Sequence, residues 1–106
     1  MLRIIMMMTA LMFSSAAIAA EESKKIEIAI ENYAFVPKVV SIPKGTTIVW
    51  KNQDQSPHNI QSTTKQFRSP PLDTNETYSH TFTDAGSFAY FCVLHPHMIG
   101  TIEVTP

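Results

Sequence analysis

A thiol, an imidazole and a thioether stand at Cys-x-x-His-x-x-Met spacing in the stretch Tyr90-Phe91-Cys92-Val93-Leu94-His95-Pro96-His97-Met98-Ile99-Gly100. A segment this short can curl around one ion so that Cys92, His95 and Met98 converge on it. A second imidazole has to come from elsewhere, and His58, in Ser56-Pro57-His58-Asn59-Ile60, is the candidate. Two histidines and a cysteine in a trigonal plane, with a weak axial methionine, form the donor set of a copper site built for electron transfer. Thiolate and thioether favour Cu(I), whereas imidazole serves Cu(I) and Cu(II) alike. A site between the two preferences moves little when an electron arrives. Four protein donors leave no obvious place for a substrate, which argues for electron carriage over catalysis.

Each of these residues also has a plainer reading. A single cysteine near a strand end is commonly a small buried hydrophobe, and a single methionine is commonly core filler. A loop histidine such as His58 is often only solvated. The four together, at this spacing, favour ligation. His97 reads as an exposed side chain, ahead of a docking contact or a second, adventitious metal. His80 alternates with Tyr78 and Phe82 and reads as a satisfied core histidine rather than a ligand. Pro96 fixes its own φ and removes a backbone donor beside His95, which limits how the ligand segment can coil.

These residues need a scaffold, and the sequence reads as short strands joined by turns. Ile26, Ile28 and Ile30 alternate with Lys25, Glu27 and Ala29, the period of a half-buried strand. Val39 to Ile42 forms a second strand, stopped by Pro43-Lys44-Gly45. Thr46 to Asn52 forms a third, with Thr46, Ile48 and Trp50 on one face, and its β-branched and aromatic content suits a pleated surface. Thr77 to Phe82, Ser87 to Cys92 and Ile99 to Val104 complete the set, the last two separated by Val93 to Met98. Gln61 to Glu76 is polar, carries Pro70-Pro71, and reads as loop with at most one short strand. No segment makes a convincing amphipathic helix. The expectation is an all-β sandwich of antiparallel strands in one compact domain.

The first twenty residues are expected to lie outside that domain. Arg3 precedes an apolar run from Ile4 to Phe13, and small residues follow around Ala17-Ile18-Ala19. This is the layout of a secretory signal peptide over residues 1–20, too short for a permanent span of about 20 apolar residues. Residues 21–106 then form the domain, with no membrane anchor after cleavage. The leader carries five of the six methionines, which leaves Met98 alone in the domain, and Cys92 is the only cysteine in the chain. Export points to an oxidising compartment, most simply a bacterial periplasm. With a net charge of −1 and no basic stripe, nucleic-acid binding is not suggested.

The chain resembles the small cupredoxins, in particular the amicyanin group, with pseudoazurin and plastocyanin as relatives. Phe35-Val36-Pro37, Ile42-Pro43-Lys44-Gly45-Thr46, Val49-Trp50-Lys51-Asn52, Pro57-His58-Asn59-Ile60, Phe82-Thr83-Asp84-Ala85-Gly86 and Tyr90 to Val104 carry the resemblance. It implies a cupredoxin-like Greek-key β-sandwich of about eight strands with one type 1 copper near one end. It also implies His58, Cys92 and His95 as equatorial ligands, Met98 as the axial one, and Asn59 tying the two ligand segments together. His95 becomes the ligand nearest the surface and the electron port. Leu94 stands where the family pattern has a proline, and His97 where it has an aromatic residue. The function this implies is a soluble, monomeric carrier between a donor redox enzyme and an acceptor such as a c-type cytochrome. The alternative is a copper storage or delivery module without redox turnover. An enzyme is disfavoured, because there is no second domain and no further histidine cluster.

Overall fold

The computed structural model describes residues 24–106, and the signal peptide expected over residues 1–20 lies outside them. The alternating isoleucines become strand β1 (Lys25–Glu31), with Ile28 and Ile30 sealed from solvent. A tight turn leads to the three-residue β2 (Ala34–Val36), and a cis Val36–Pro37 bond leads on towards β3 (Val39–Pro43). Strand β4 (Thr46–Asn52) holds the expected face, with Thr46, Ile48, Trp50 and Asn52 all buried. The remaining strands are β5 (Gln61–Ser62), β6 (Thr77–Phe82), β7 (Gly86–Cys92) and β8 (His95–Thr105).

The eight strands form two four-stranded sheets, ordered β2-β1-β4-β6 and β3-β8-β7-β5. The chain switches sheet at β3, β4, β5, β6 and β7. The return at β4 lays it beside β1 in the same direction, and β8 runs parallel to β3 in the other sheet. Both sheets are therefore mixed, where alternation alone suggests antiparallel pairing throughout. Strand alternation fixes which face is buried, not which neighbour a strand acquires. β2 was not expected as a strand at all, since three residues are too few to show a period.

Trp50 fills the space between the sheets, with the rings of Phe67, Tyr78, Phe82 and Tyr90 around it at centroid distances of 5.4–6.4 Å. Burying each such side chain is worth about 1.5–3 kcal/mol. Tyr90 pairs across the ladder with Gly100 and lays its ring where a Cβ would sit, so this position admits no larger residue. Burial pushes the Tyr90 phenol up to about 12, only partly offset by the neighbouring Trp50 indole. The Gln61 to Glu76 stretch is loop with one short strand, as read, yet it is not peripheral. It sends Phe67 and Leu72 into the core.

The strand after the ligand segment starts earlier than its composition suggests. Pairing resumes at His95, opposite Cys92, after an irregularity between Phe91 and Cys92. Only Val93 and Leu94 remain as the turn. Pro96 is accommodated because the ladder has no partner for Pro96, His97 or Met98 before Ile99 meets Phe91.

Candidate metal centre

His58 lies just past β4 and its backbone is fixed before its side chain is considered. Its N–H donates to the Leu72 carbonyl at 3.2 Å, and its own carbonyl accepts from the Leu72 N–H at 2.7 Å. The next residue stitches this segment to the other one. The Asn59 N–H donates to Cys92 Sγ at 3.4 Å, and Asn59 Oδ1 accepts from the Val93 N–H at 2.7 Å. The second-site role expected of Asn59 is thus present on both its backbone and its side chain.

Cys92, at the inner end of β7, and His95, at the start of β8, complete the cluster. His58 Nδ1 lies 3.2 Å from His95 Nδ1, and Cys92 Sγ lies 3.8 Å and 3.9 Å from those two nitrogens. Among the described residues these three form the one group of such donors whose ligand atoms all lie within 4.8 Å of one another. A first-row ion held about 2.0–2.1 Å from nitrogen and about 2.3 Å from sulfur separates trigonal donors by roughly 3.5–3.8 Å. The observed separations of 3.2, 3.8 and 3.9 Å bracket that size, with the edge between the two imidazole nitrogens the shortest. A thiolate beside two imidazoles, with a thioether in reserve, selects copper over harder metals. Together with Met98 it is a cluster typical of a type 1 copper site.

Met98 is buried at 4 % exposure, three residues beyond His95 and on the inward face of β8. His58 and Cys92 are wholly enclosed, whereas His95 is half-buried, as expected for the ligand nearest the surface. His97 is exposed and stands apart from the cluster. His80 is half-buried between Phe67 and Phe82, at centroid distances of 4.8 Å and 4.9 Å, and desolvation there holds its imidazole below the ordinary histidine range. It flanks the core at its edge, against Phe67 and Phe82, rather than lying within it as a hydrogen-bonded core histidine.

Two residues at the site escaped the sequence reading. Asp54 Oδ2 accepts from His58 Nε2 at 2.8 Å. With its proton on Nε2, the imidazole presents a bare Nδ1 lone pair to the metal position, which is the form a ligand needs. The same carboxylate accepts the N–H groups of Asn32 and Tyr33 at 2.7 Å and 2.9 Å. Burial opposes ionisation of Asp54, but the bonds from Tyr33, Asn32 and His58 outweigh it and hold the carboxyl below its usual range. Asn52 frames this turn, its Oδ1 taking the Asp54 N–H and its Nδ2 donating to the Ser56 and Leu72 carbonyls. Tyr33 is the second. Its ring stands edge-on to both His58 and His95. The polar run Asn52-Gln53-Asp54 four residues before His58 was the available signal for Asp54; nothing local marked Tyr33.

Known proteins agree with this geometry. The cupredoxin-like domain model matches residues 3–104. Amicyanin from Paracoccus versutus is 32 % identical over 84 residues, covering 74 % of this chain, and the chain spans only 64 % of that relative's length. Plastocyanin from Capsella bursa-pastoris is 34 % identical over 86 residues, covering 67 % of this chain and 87 % of its own length. The solved structure of Paracoccus versutus amicyanin superposes with a TM-score of 0.71 at 32 % identity, over 76 % of this chain and 81 % of that one. The fold, the donor cluster and these similarities agree, and the chain belongs to the cupredoxin-like domain family.

Proposed function

We propose that this protein is an exported, soluble electron carrier with one type 1 copper, held by His58, Cys92, His95 and Met98, and that it catalyses no reaction alone. The observation that carries the reading is the convergence of His58 Nδ1, His95 Nδ1 and Cys92 Sγ at 3.2–3.9 Å from one another. When bound, the copper supplies a one-electron couple between Cu(II) and Cu(I). The residues do the rest. His58, enclosed and bonded to Asp54, would supply one fixed imidazole nitrogen. Cys92 would supply the thiolate from within the core, supported by the Asn59 N–H. Met98, buried three residues beyond His95, would offer the fourth, thioether donor. His95 reaches towards solvent and gives a partner protein an imidazole edge through which the electron passes.

Exposed Leu94, with Val93 beside it, surrounds that edge with apolar surface. Such a patch suits a brief contact with a donor oxidoreductase or an acceptor cytochrome c, whose interfaces are characteristically below about 1,200 Å². The apolar leader over residues 1–20 supports export to the periplasm.

Titration of the mature chain with Cu(II), followed by ascorbate, tests the reading. An intense blue band that saturates at one copper per chain and bleaches reversibly is the expected result. A pale complex would favour metal storage or delivery instead.

A further inference from the structure

Asn32 and Tyr33 both hold left-handed backbone, with φ of 52° and 57°, in the turn between β1 and β2. Asparagine tolerates that conformation, but a bulky aromatic residue seldom adopts it. Tight turns of this kind favour glycine at the second position. Here that position is Tyr33, and its side chain is 52 % exposed, so burial alone gives little reason for an aromatic residue on a strained backbone.

The ring has a different occupation. Its centroid lies 5.1 Å from that of His58 and 5.0 Å from that of His95, at 84° to each. The two imidazoles are 4.9 Å apart, so the three rings form a nearly equilateral triangle. The Tyr33 hydroxyl bonds to Ser56, just before His58, and its N–H bonds to the carboxylate that also holds His58 Nε2. Ring, hydroxyl and backbone are therefore all tied to the ligand segment. Strain kept at a position in contact with a site points to a role in that site.

We infer that Tyr33 is a positioning residue that closes the metal centre: its ring holds the His58 and His95 imidazoles and slows exchange of the copper with solvent. The inference rests on the proposed copper site and adds a wall that the four donors do not contain. Because His58 is wholly buried beneath a half-exposed ring, removing the ring opens a path to a ligand without touching one.

The test uses the copper-loaded mature chain challenged with EDTA, reading loss of the blue band, alongside thermal unfolding of the metal-free protein. Tyr33→Gly and Tyr33→Asn both suit the left-handed backbone and remove the ring, whereas Tyr33→Phe keeps the ring and loses only the bond to Ser56. The glycine and asparagine variants should release copper about tenfold faster than the parent, with metal-free unfolding midpoints near the parent's. The phenylalanine variant should release it at the parental rate. Parental rates in both ring-less variants would overturn the inference, and so would faster release that only follows a fall in metal-free stability. Equally fast release from the phenylalanine variant would overturn it too, since the ring would not be the wall. A parent chain that gives no blue band would instead overturn the copper reading, and this inference with it.

Discussion

His58 and His95 direct the same ring nitrogen at one point from opposite surroundings. His58 is wholly enclosed, its backbone bonded in both directions to Leu72 and its far nitrogen bonded to Asp54. His95 is half-buried on a two-residue turn whose Val93 and Leu94 are 40 % and 46 % exposed. Among the described residues no hydrogen bond reaches its Nε2. The difference separates two tasks that one histidine could not perform together. A ligand that must keep its geometry is fixed through its outer hydrogen bonds; a ligand that must meet a partner leaves its outer edge free.

Removing each imidazole in turn has the largest expected effect. His95→Gly leaves a gap open to solvent, and added imidazole should restore the blue band. His58→Gly leaves a closed cavity and an abandoned Asp54 carboxylate, with a stability cost of roughly 1–3 kcal/mol and no recovery on adding imidazole. Equal recovery in both variants would erase the distinction between the two sides. A smaller effect is expected at the outer bond of His58. Asp54→Asn withdraws a negative charge whose field would favour the more positive Cu(II), so the reduction potential should rise by roughly 60 mV, a tenfold change in the one-electron equilibrium. An unchanged potential in voltammetry would reduce Asp54 to a turn-building residue.

The smallest effect lies away from both ligands. Burial lowers the folded pKa of His80 below its ordinary 6.5, so the unfolded chain takes up the proton first as the solution is acidified. Stability from this residue is whole above about pH 6.5 and drains away as pH falls through the folded pKa. His80→Phe should flatten that part of the unfolding-against-pH curve by a small amount. A slope unaltered by the substitution would locate the effect at another histidine.

Cys92, His95 and Met98 were legible because one short segment carries all three. His58 was legible because it follows a strand whose alternation could be read from Thr46 to Trp50. The β1, β4 and β6 spans were legible for the same reason, each being long enough to show a period. Asp54 and Tyr33 were not. The bond of Asp54 to His58 is local and was signalled only by the polar run Asn52-Gln53-Asp54. The role of Tyr33 depends instead on the β1–β2 turn lying against the end of β4, an adjacency that arises from the parallel pairing of β1 with β4 and that no local pattern encodes. The early start of β8 was hidden by Pro96-His97, a pair that reads as loop until the ladder shows the stretch has no partner to lose.

The two-residue tip of the β7–β8 hairpin has a consequence for how this sequence can change through insertion and deletion. Cys92 and His95 face each other across the ladder, so the spacing between two of the donors is also a hairpin register. One residue gained or lost at Val93–Leu94 would shift His95 by one place along a strand whose side chains alternate in direction. The imidazole would then turn away from the thiol while the rest of the sandwich stayed intact. Length variation at this tip is therefore all-or-nothing for metal binding.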